Sequence, residues 1–207
     1  MMGFFYFKTL LHALKFTIMS MICFVGQVSD QEIDNIKIQP KRAELLVNEG
    51  RYFKEPVKRS FFEKLFGKKE EPEVAPEPSY VEEPVCDVDK AWHALHYLLT
   101  GDPDEGEFPL NFLVVGGQEI GEDMGYGPLR FLTAAETVML KNDLDKISVA
   151  DFANRFNAKD LNAAELYPAH DDWNEEAKEW LIDAYTDIKR FIDQVVVNKK
   201  GIYINIS

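Results

Sequence analysis

A polar stripe on one predicted helix carries the residues best suited to acid–base chemistry. The spacing of apolar side chains over residues 88–100 predicts an amphipathic helix. On the opposite face, polar residues recur at positions i, i+4, i+7 and i+11: Asp89, His93, His96 and Thr100. Solvent-facing stripes usually carry Lys and Glu, and this one has neither. The stripe therefore favours a half-buried surface. One interpretation is that it forms a wall of a binding or catalytic site, with Trp92 beside it. The other is that the two histidines are structural and pack under a loop.

A glycine-rich acidic loop forms the second group of candidate residues. The segment 116–128 contains five glycines in thirteen positions, which implies several turns with positive φ or close backbone approaches. Its polar residues, with the arginine that follows it, are Glu119, Glu122, Asp123, Tyr126 and Arg130. A desolvated Glu122 or Asp123 can act as a general base, Tyr126 can donate a hydrogen bond, and Arg130 can hold a carboxylate with two parallel bonds. The alternative is a rigid turn whose acids cap backbone amides and pair with Arg130.

The sequence lacks the common motifs for a nucleophile, a phosphate cradle or a metal site. There is no G-x-S-x-G, no H-E-x-x-H, no loop that ends in GK[ST], and no G-x-G-x-x-G after a strand. His93 and His96 can contact one Zn²⁺ from adjacent turns, but Zn²⁺ takes three or four protein ligands and no third His or Cys stands at motif spacing. We therefore predict neither a metal nor a cofactor.

The charge of the chain is strongly negative and unevenly distributed. Lys and Arg total 23 against 36 Asp and Glu, which gives a net charge of −13. Residues 1–69 carry 12 basic and 7 acidic side chains, whereas residues 70–207 carry 11 and 29, a net charge of −18. Such a surface repels the phosphate backbone of nucleic acids and attracts basic proteins. A basic protein is the partner that this charge favours, and no nucleic-acid binding is expected.

The N-terminal segment is apolar but does not have the pattern of a membrane span. Lys8 and Lys15 interrupt it, so that the longest uncharged run covers residues 16–29, which is shorter than the ~20 residues of a spanning helix. A secretory signal fits poorly, because Phe24 stands where a small residue should precede a cut near residue 26. A short helix lying on a membrane or on the domain, or a start codon placed too far upstream, remain as interpretations. We expect residues 1–18 to be an extension, with no integral span, and a cytoplasmic location.

Residues 19–207 are predicted to form a single α/β domain, with a small mixed sheet flanked by helices. Its first strand covers residues 21–28 and is followed by a helix that Ser29 caps, and a charged linker rich in Pro and Glu covers residues 67–85. The following elements are a helix over 88–100, strands over 111–117 and 129–132, helices capped at Thr133 and Ser148, a short helix over 157–166, a long helix from Asp172 past Val195, and a closing strand with Ile202, Ile204 and Ile206 on one buried face.

Several of these segments together resemble a known family. The run DVDKAWHALHYLLTG, the run PLNFLVVGGQEIGEDMGYGPLRFLT, the start SMIC and the segment ELYP are similar to the YfbM-like proteins, a group of small bacterial proteins with a domain of unknown function. The resemblance covers the chain from about Met19 to Ser207. It implies a single α/β domain and places residues 1–18 outside it, and it supplies no reaction and no catalytic residues.

Two functions are consistent with these observations. The first is a soluble binding module for a basic protein, of which an immunity-type inhibitor of a cationic toxin is one form. The second is a small hydrolase in which His93 or His96 acts as acid or base, Asp89 orients the ring, and Tyr126 or Arg130 holds the substrate. Both depend on one expectation, that the histidines and the glycine-rich acidic loop meet across a shared hollow.

Overall fold

An antiparallel five-stranded sheet organises the part of the chain that the computed structural model describes, which is residues 21–49, 51–53, 80–124, 126–168 and 173–207. The strands are β1 (Cys23–Val28), β2 (Arg51–Phe53), β3 (Tyr80–Glu82), β4 (Val85–Asp89), β5 (Gln118–Ile120), β6 (Leu129–Leu132) and β7 (Gly201–Ile206). The helices are α1 (Asp30–Ile38), α2 (Ala43–Glu49), α3 (Trp92–Thr100), α4 (Ala134–Leu144), α5 (Val149–Asn154), α6 (Ala158–Ala163) and α7 (Glu175–Val197), with a 3₁₀ turn at Pro40–Arg42.

The strands lie in the order β4-β1-β7-β6-β5, and every pair is antiparallel. β2 and β3 pair separately as a two-stranded ribbon. The predicted sheet was mixed, and the structure corrects this to an antiparallel one. The predicted α/β architecture with a long C-terminal helix and a closing strand is confirmed.

Two apolar layers cover the two faces of the sheet. Helices α3 to α7 pack on one face and form the larger core, whereas α1 and α2 pack on the other face and form a smaller core. Strand β7 contributes to both, since Ile202 and Ile204 lie in the larger core and Tyr203 lies in the smaller one. The prediction of one buried face for this strand is therefore corrected. β7 is buried on both faces because it is the central strand.

The predicted helix starts and stops are largely confirmed. The hydroxyl of Ser29 accepts a hydrogen bond from the amide of Glu32, and Thr133 and Ser148 form complete capping boxes with Glu136 and Asp151. Gly101 ends α3 with a φ of 84°, the left-handed conformation that glycine adopts without strain. These signals involve residues three or four positions apart, so they do not depend on the tertiary structure.

Three segment assignments are corrected by the structure. The helix predicted over 88–100 begins only at Trp92, because residues 85–89 form β4 and pair with β1. The predicted strand over 111–117 is a series of turns, although Phe112 and Leu113 are fully buried. Within the linker predicted over 67–85, residues 80–82 form β3 and residue 85 begins β4. The rest of that linker, residues 67–79, and the predicted extension 1–18 lie outside the described residues.

In the described part of the chain, no helix combines the length and the apolar character that crossing a bilayer requires.

Candidate functional site

The imidazole ring of His93 connects helix α3 to two other segments. Its Nε2 lies 3.0 Å from the carbonyl oxygen of Pro103, and its Nδ1 accepts a hydrogen bond of 2.9 Å from the amide of Tyr167. Since an amide can only donate, Nδ1 carries no proton, and Nε2 must donate to the Pro103 carbonyl. The ring also stacks on Trp92, with centroids 4.9 Å apart and planes 12° apart. Burial lowers the pKa of His93 below its ordinary value of 6.5, so the neutral ring is the form present near pH 7.

His96 lies one turn further along α3 and is completely buried. Its Nε2 lies 2.8 Å from the carbonyl oxygen of Glu105 and donates to it, while its Nδ1 is buried and makes no hydrogen bond. Burial, together with the positive charge of Arg130, lowers the pKa of His96 to about 4. His96 is therefore a neutral residue of the interior that holds one backbone oxygen.

The segment that both histidines hold is an acidic loop, residues 102–107. Two further side chains hold the same segment. The hydroxyl of Thr100 shares its proton between the carbonyls of Asp102 and His96, each at 2.9 Å, and the amide of Asn111 donates to the Gly106 carbonyl at 2.8 Å. Four carbonyl oxygens of the acidic loop are thus bound by side chains of the body of the domain. The carboxylate side chains of the loop are exposed to solvent: Asp102, Asp104, Glu105 and Glu107.

One of these carboxylates also stabilises the acidic loop from within. Oδ1 of Asp102 accepts hydrogen bonds from the amides of Asp104 (2.9 Å) and Glu105 (2.8 Å). These two backbone hydrogen bonds lower the pKa of Asp102. Such a turn restricts the backbone of the loop, so that Asp104, Glu105 and Glu107 are presented from a fixed frame.

The glycine-rich acidic loop lies on the other face of the sheet. Its first part forms β5, from which Ile120 enters the smaller core, and Met124 packs against that core as well. A Cβ atom on Gly121 would lie 3.6 Å from Cβ of Ala43, at the start of α2. Glu122 and Asp123 are exposed at the tip. The histidines belong to the opposite layer.

The histidines and the acidic tip of the glycine-rich loop are therefore not brought together, whereas Arg130 lies near enough to His96 to lower its pKa. His93 and His96 project from α3, in the larger core, while Glu122 and Asp123 lie beside the smaller one. Asp123 accepts a hydrogen bond of 2.9 Å from the amide of Gly127, as a rigid turn requires. Tyr126 is 45% exposed. The hollow expected between the histidines and this loop is not formed by the described residues.

Arg130 has a structural role that neither sequence interpretation proposed. It is 6% exposed and lies on β6, between Leu129 and Phe131, so its side chain points to the opposite face from theirs. There the guanidinium donates to three carbonyl oxygens in the turns that precede β5: Phe112 at 2.6 Å, Leu113 at 2.7 Å and Gly116 at 2.9 Å. Desolvation lowers the pKa of Arg130. Arg130 binds backbone carbonyls, which corrects the prediction that the acids of the glycine-rich loop pair with it, although Glu119 lies near enough to favour its charged form.

The remaining predicted residues take separate positions. Glu119 is exposed on β5, opposite Arg130 in the strand register. Asp89 is exposed at the end of β4 with a φ of 48°, and its amide binds the carboxylate of Asp87. Because both ring nitrogens of His93 have other partners, Asp89 does not orient that ring. Trp92 is buried, and its indole N–H donates to the Met21 carbonyl at 3.3 Å.

The acidic loop was not among the residues selected from the sequence. The available signal was its position, since four acids within six residues directly follow a helix that ends in Gly101 and carries two histidines on its polar stripe. The roles of Asn111 and Tyr167 in holding these groups had no local signal. Asn111 binds the Gly106 carbonyl, and Tyr167 reaches His93, which is 74 positions away in sequence, only in the folded chain.

This arrangement offers no acid–base centre among the described side chains at α3. Both nitrogens of His93 are engaged, and the one unengaged nitrogen of His96 is sealed from solvent. Over the described ranges, no group of three or more His, Cys, Asp or Glu residues is placed to hold a metal ion. What the geometry provides is a restrained, exposed group of carboxylates.

Comparison with known proteins gives a family and a fold. The profile of a domain of unknown function, DUF1877, matches residues 19–204. The chain belongs to this family. A crystal structure of YfbM from Escherichia coli, a protein of unknown function, is similar with a TM-score of 0.56 and 16% identity, and the match covers 90% of this chain and 99% of YfbM. At this identity the likeness concerns the fold alone. A comparison with curated proteins found no match.

Proposed function

We propose that this DUF1877 chain is a binding module that presents its acidic loop to a basic protein partner. The observation that carries the proposal is the set of four side-chain hydrogen bonds, from Thr100, His93, His96 and Asn111, that hold four of the five carbonyls of residues 102–106. A recognition loop that is already ordered loses little conformational entropy on binding, which favours affinity. The buried histidines serve this surface by fixing the backbone beneath it.

The charge of the module supports a cationic partner. The whole chain carries a net −13, and residues 70–207 carry −18. A negative field of this size accelerates the approach of a basic protein and orients it toward the densest group of carboxylates. Immunity-type inhibition of a cationic toxin is one concrete form of such binding.

An aromatic residue next to the acids refines the class of partner. Phe108 directly follows Glu107 and is 40% exposed. A guanidinium can pair with a carboxylate while it stacks on an aromatic face, which an ammonium does less well. We infer that the partner contributes arginine rather than lysine side chains. The free thiols of Cys23 and Cys86 fit a reducing cytoplasm, the compartment in which we place the interaction.

The hydrolase hypothesis receives no comparable support. It requires a histidine nitrogen that reaches a substrate, and at α3 both nitrogens of His93 bind backbone while His96 is enclosed.

Neutralising the acidic loop is expected to weaken binding of a cationic probe about tenfold, because three preorganised carboxylates are lost. The variant Asp104→Asn/Glu105→Gln/Glu107→Gln leaves Asp102 in place, since Asp102 supports the loop backbone. The probe is a labelled synthetic peptide of alternating arginine and glycine, with the dissociation constant measured by fluorescence anisotropy at low and at high salt.

The matched control removes the same charges elsewhere. The variant Glu176→Gln/Glu179→Gln/Asp183→Asn changes three exposed carboxylates of α7 and reaches the same net charge. We expect it to weaken binding less than about twofold. Equal losses in the two variants would mean that overall charge alone attracts the peptide, which would overturn the assignment of the site. A lysine peptide that binds as tightly as the arginine peptide would overturn the preference for arginine.

A further inference from the structure

His93 joins two segments that are distant in sequence, the acidic loop at Pro103 and the turn at Tyr167. The Tyr167 turn in turn holds the first described residue, because the Tyr167 hydroxyl accepts a hydrogen bond of 2.8 Å from the amide of Met21. The Tyr167 ring stacks on Trp92, with centroids 5.7 Å apart. The two nitrogens of one imidazole therefore form the hydrogen-bonded link between the acidic loop and the Tyr167 turn, beside the contacts that Trp92 makes with Tyr167 and Met21.

The two hydrogen bonds of His93 respond differently to a proton. Nε2 donates to a carbonyl in both the neutral and the charged ring, and the charged ring is the stronger donor. Nδ1 accepts from an amide in the neutral ring, but once protonated it would place its own N–H against the N–H of Tyr167. That contact is repulsive, so one side must move away.

We propose that His93 is a proton-operated latch, in which protonation of Nδ1 releases the Tyr167 turn from α3 while Nε2 retains the acidic loop. This inference rests on the hydrogen-bond geometry and does not depend on the proposed partner. The released segment is the Tyr167 turn, whereas the chain at Met21 is still held by the indole N–H of Trp92, which donates to the Met21 carbonyl. Protonation of His93 also places a positive charge near the carboxylate of Asp104. The protonation state of His93 therefore changes the electrostatic field at the acidic loop.

The charged and titratable groups around His93 set the conditions for the latch. Desolvation has the largest effect and favours the neutral ring, whereas the hydrogen bond to the Pro103 carbonyl and, next, the carboxylate of Asp104 favour the imidazolium. His96 lies on the same helix, with Arg130 beyond it on β6. From the remaining neighbours, Trp92 and Tyr167 present their rings. The balance keeps His93 neutral near pH 7, and the latch opens on acidification.

The test is amide hydrogen exchange in the full chain, followed by NMR as the pH falls from about 7.5 to 5. After correction for the intrinsic pH dependence of exchange, we expect the Tyr167 amide to exchange at least about tenfold faster when His93 is protonated. The amide of Trp173 provides an internal control, because it donates to Oδ1 of Asn162 at 3.1 Å, an acceptor that does not titrate. Its protection should not change.

The variant His93→Asn supplies the matched comparison. Its amide oxygen can take the place of Nδ1 as the acceptor from Tyr167 but does not titrate, so the Tyr167 amide should stay protected across the range. Equal pH profiles in the two proteins, or loss of Trp173 protection in parallel with Tyr167, would overturn the latch. If the variant does not fold, the ¹⁵N chemical shifts of the His93 ring in the wild-type protein provide the test. They report which ring nitrogen carries the proton, and a proton on Nδ1 at neutral pH would contradict the latch. This test measures hydrogen exchange and not peptide binding. A failure of the latch can therefore be distinguished from a failure of the proposed function.

Discussion

Replacing Arg130 by methionine is expected to lower the free energy of unfolding by about 3–5 kcal/mol. The guanidinium satisfies three carbonyl oxygens in the turns that precede β5, at Phe112, Leu113 and Gly116, and it is almost completely buried. Methionine fills a similar volume but donates no hydrogen bond. The carbonyls would then remain buried without partners, which is the costly part of such a substitution. Urea denaturation followed by circular dichroism measures the change.

Arg155 offers a control for this prediction, because it is an exposed arginine that also binds backbone carbonyls. It also donates to backbone carbonyls, those of Leu98 at 2.9 Å and Leu99 at 3.2 Å, but its side chain is exposed. Because water can replace its hydrogen bonds, Arg155→Met should cost only about 1 kcal/mol. If both substitutions cost the same, burial of the carbonyl cluster is not what makes Arg130 important.

Acidification is expected to begin to destabilise the domain at a pH above the range in which carboxylates titrate. His96 has a pKa of about 4 in the folded chain and an ordinary value of 6.5 when unfolded. The unfolded chain therefore binds the proton first, so the stabilisation is complete above pH 6.5 and is lost as the pH falls toward 4. The difference corresponds to a total of about 3 kcal/mol, of which about 2 kcal/mol is lost by about pH 5.

The slope of stability against pH tests this assignment directly. The variant His96→Gln keeps an N–H donor in place of Nε2 and does not titrate, so its stability should change much less between pH 6.5 and 5. A general destabilisation by the substitution lowers the free energy of unfolding equally at every pH, so the slope against pH can still be compared. His93 contributes with the same sign, because burial lowers its pKa too. A slope unchanged in His96→Gln, with His93 intact, would show that His96 does not carry the effect.

The local elements could be predicted because their causes are local. Ser29, Thr133 and Ser148 cap helices through amides three positions away, and Gly101 ends α3 by its own backbone conformation. Strand β6 and the closing strand were likewise predicted from apolar runs and alternation. The errors arose where a distant partner decides the conformation. Residues 85–89 are a strand because they pair with β1.

The turns over 111–117 show a second kind of limit. Their apolar run is typical of a buried strand, and Phe112 and Leu113 are indeed buried. A buried segment without ladder partners is stable only if something else satisfies its carbonyls. Arg130 does so from β6, fourteen to eighteen residues further along the chain. No local pattern in the sequence indicates that partner.

The composition of the candidate surface can be read from the chain alone: it is acidic, it has two histidines on one helical stripe, and four acids follow directly. Which of these groups meet depends on the folded arrangement. It placed the histidines under the acidic loop and the glycine-rich acidic loop against α2, on the other face of the sheet. The physical reason is that helical periodicity and capping depend on neighbouring residues, whereas the face on which a loop lies depends on strand register and order, which arise from pairing between distant segments.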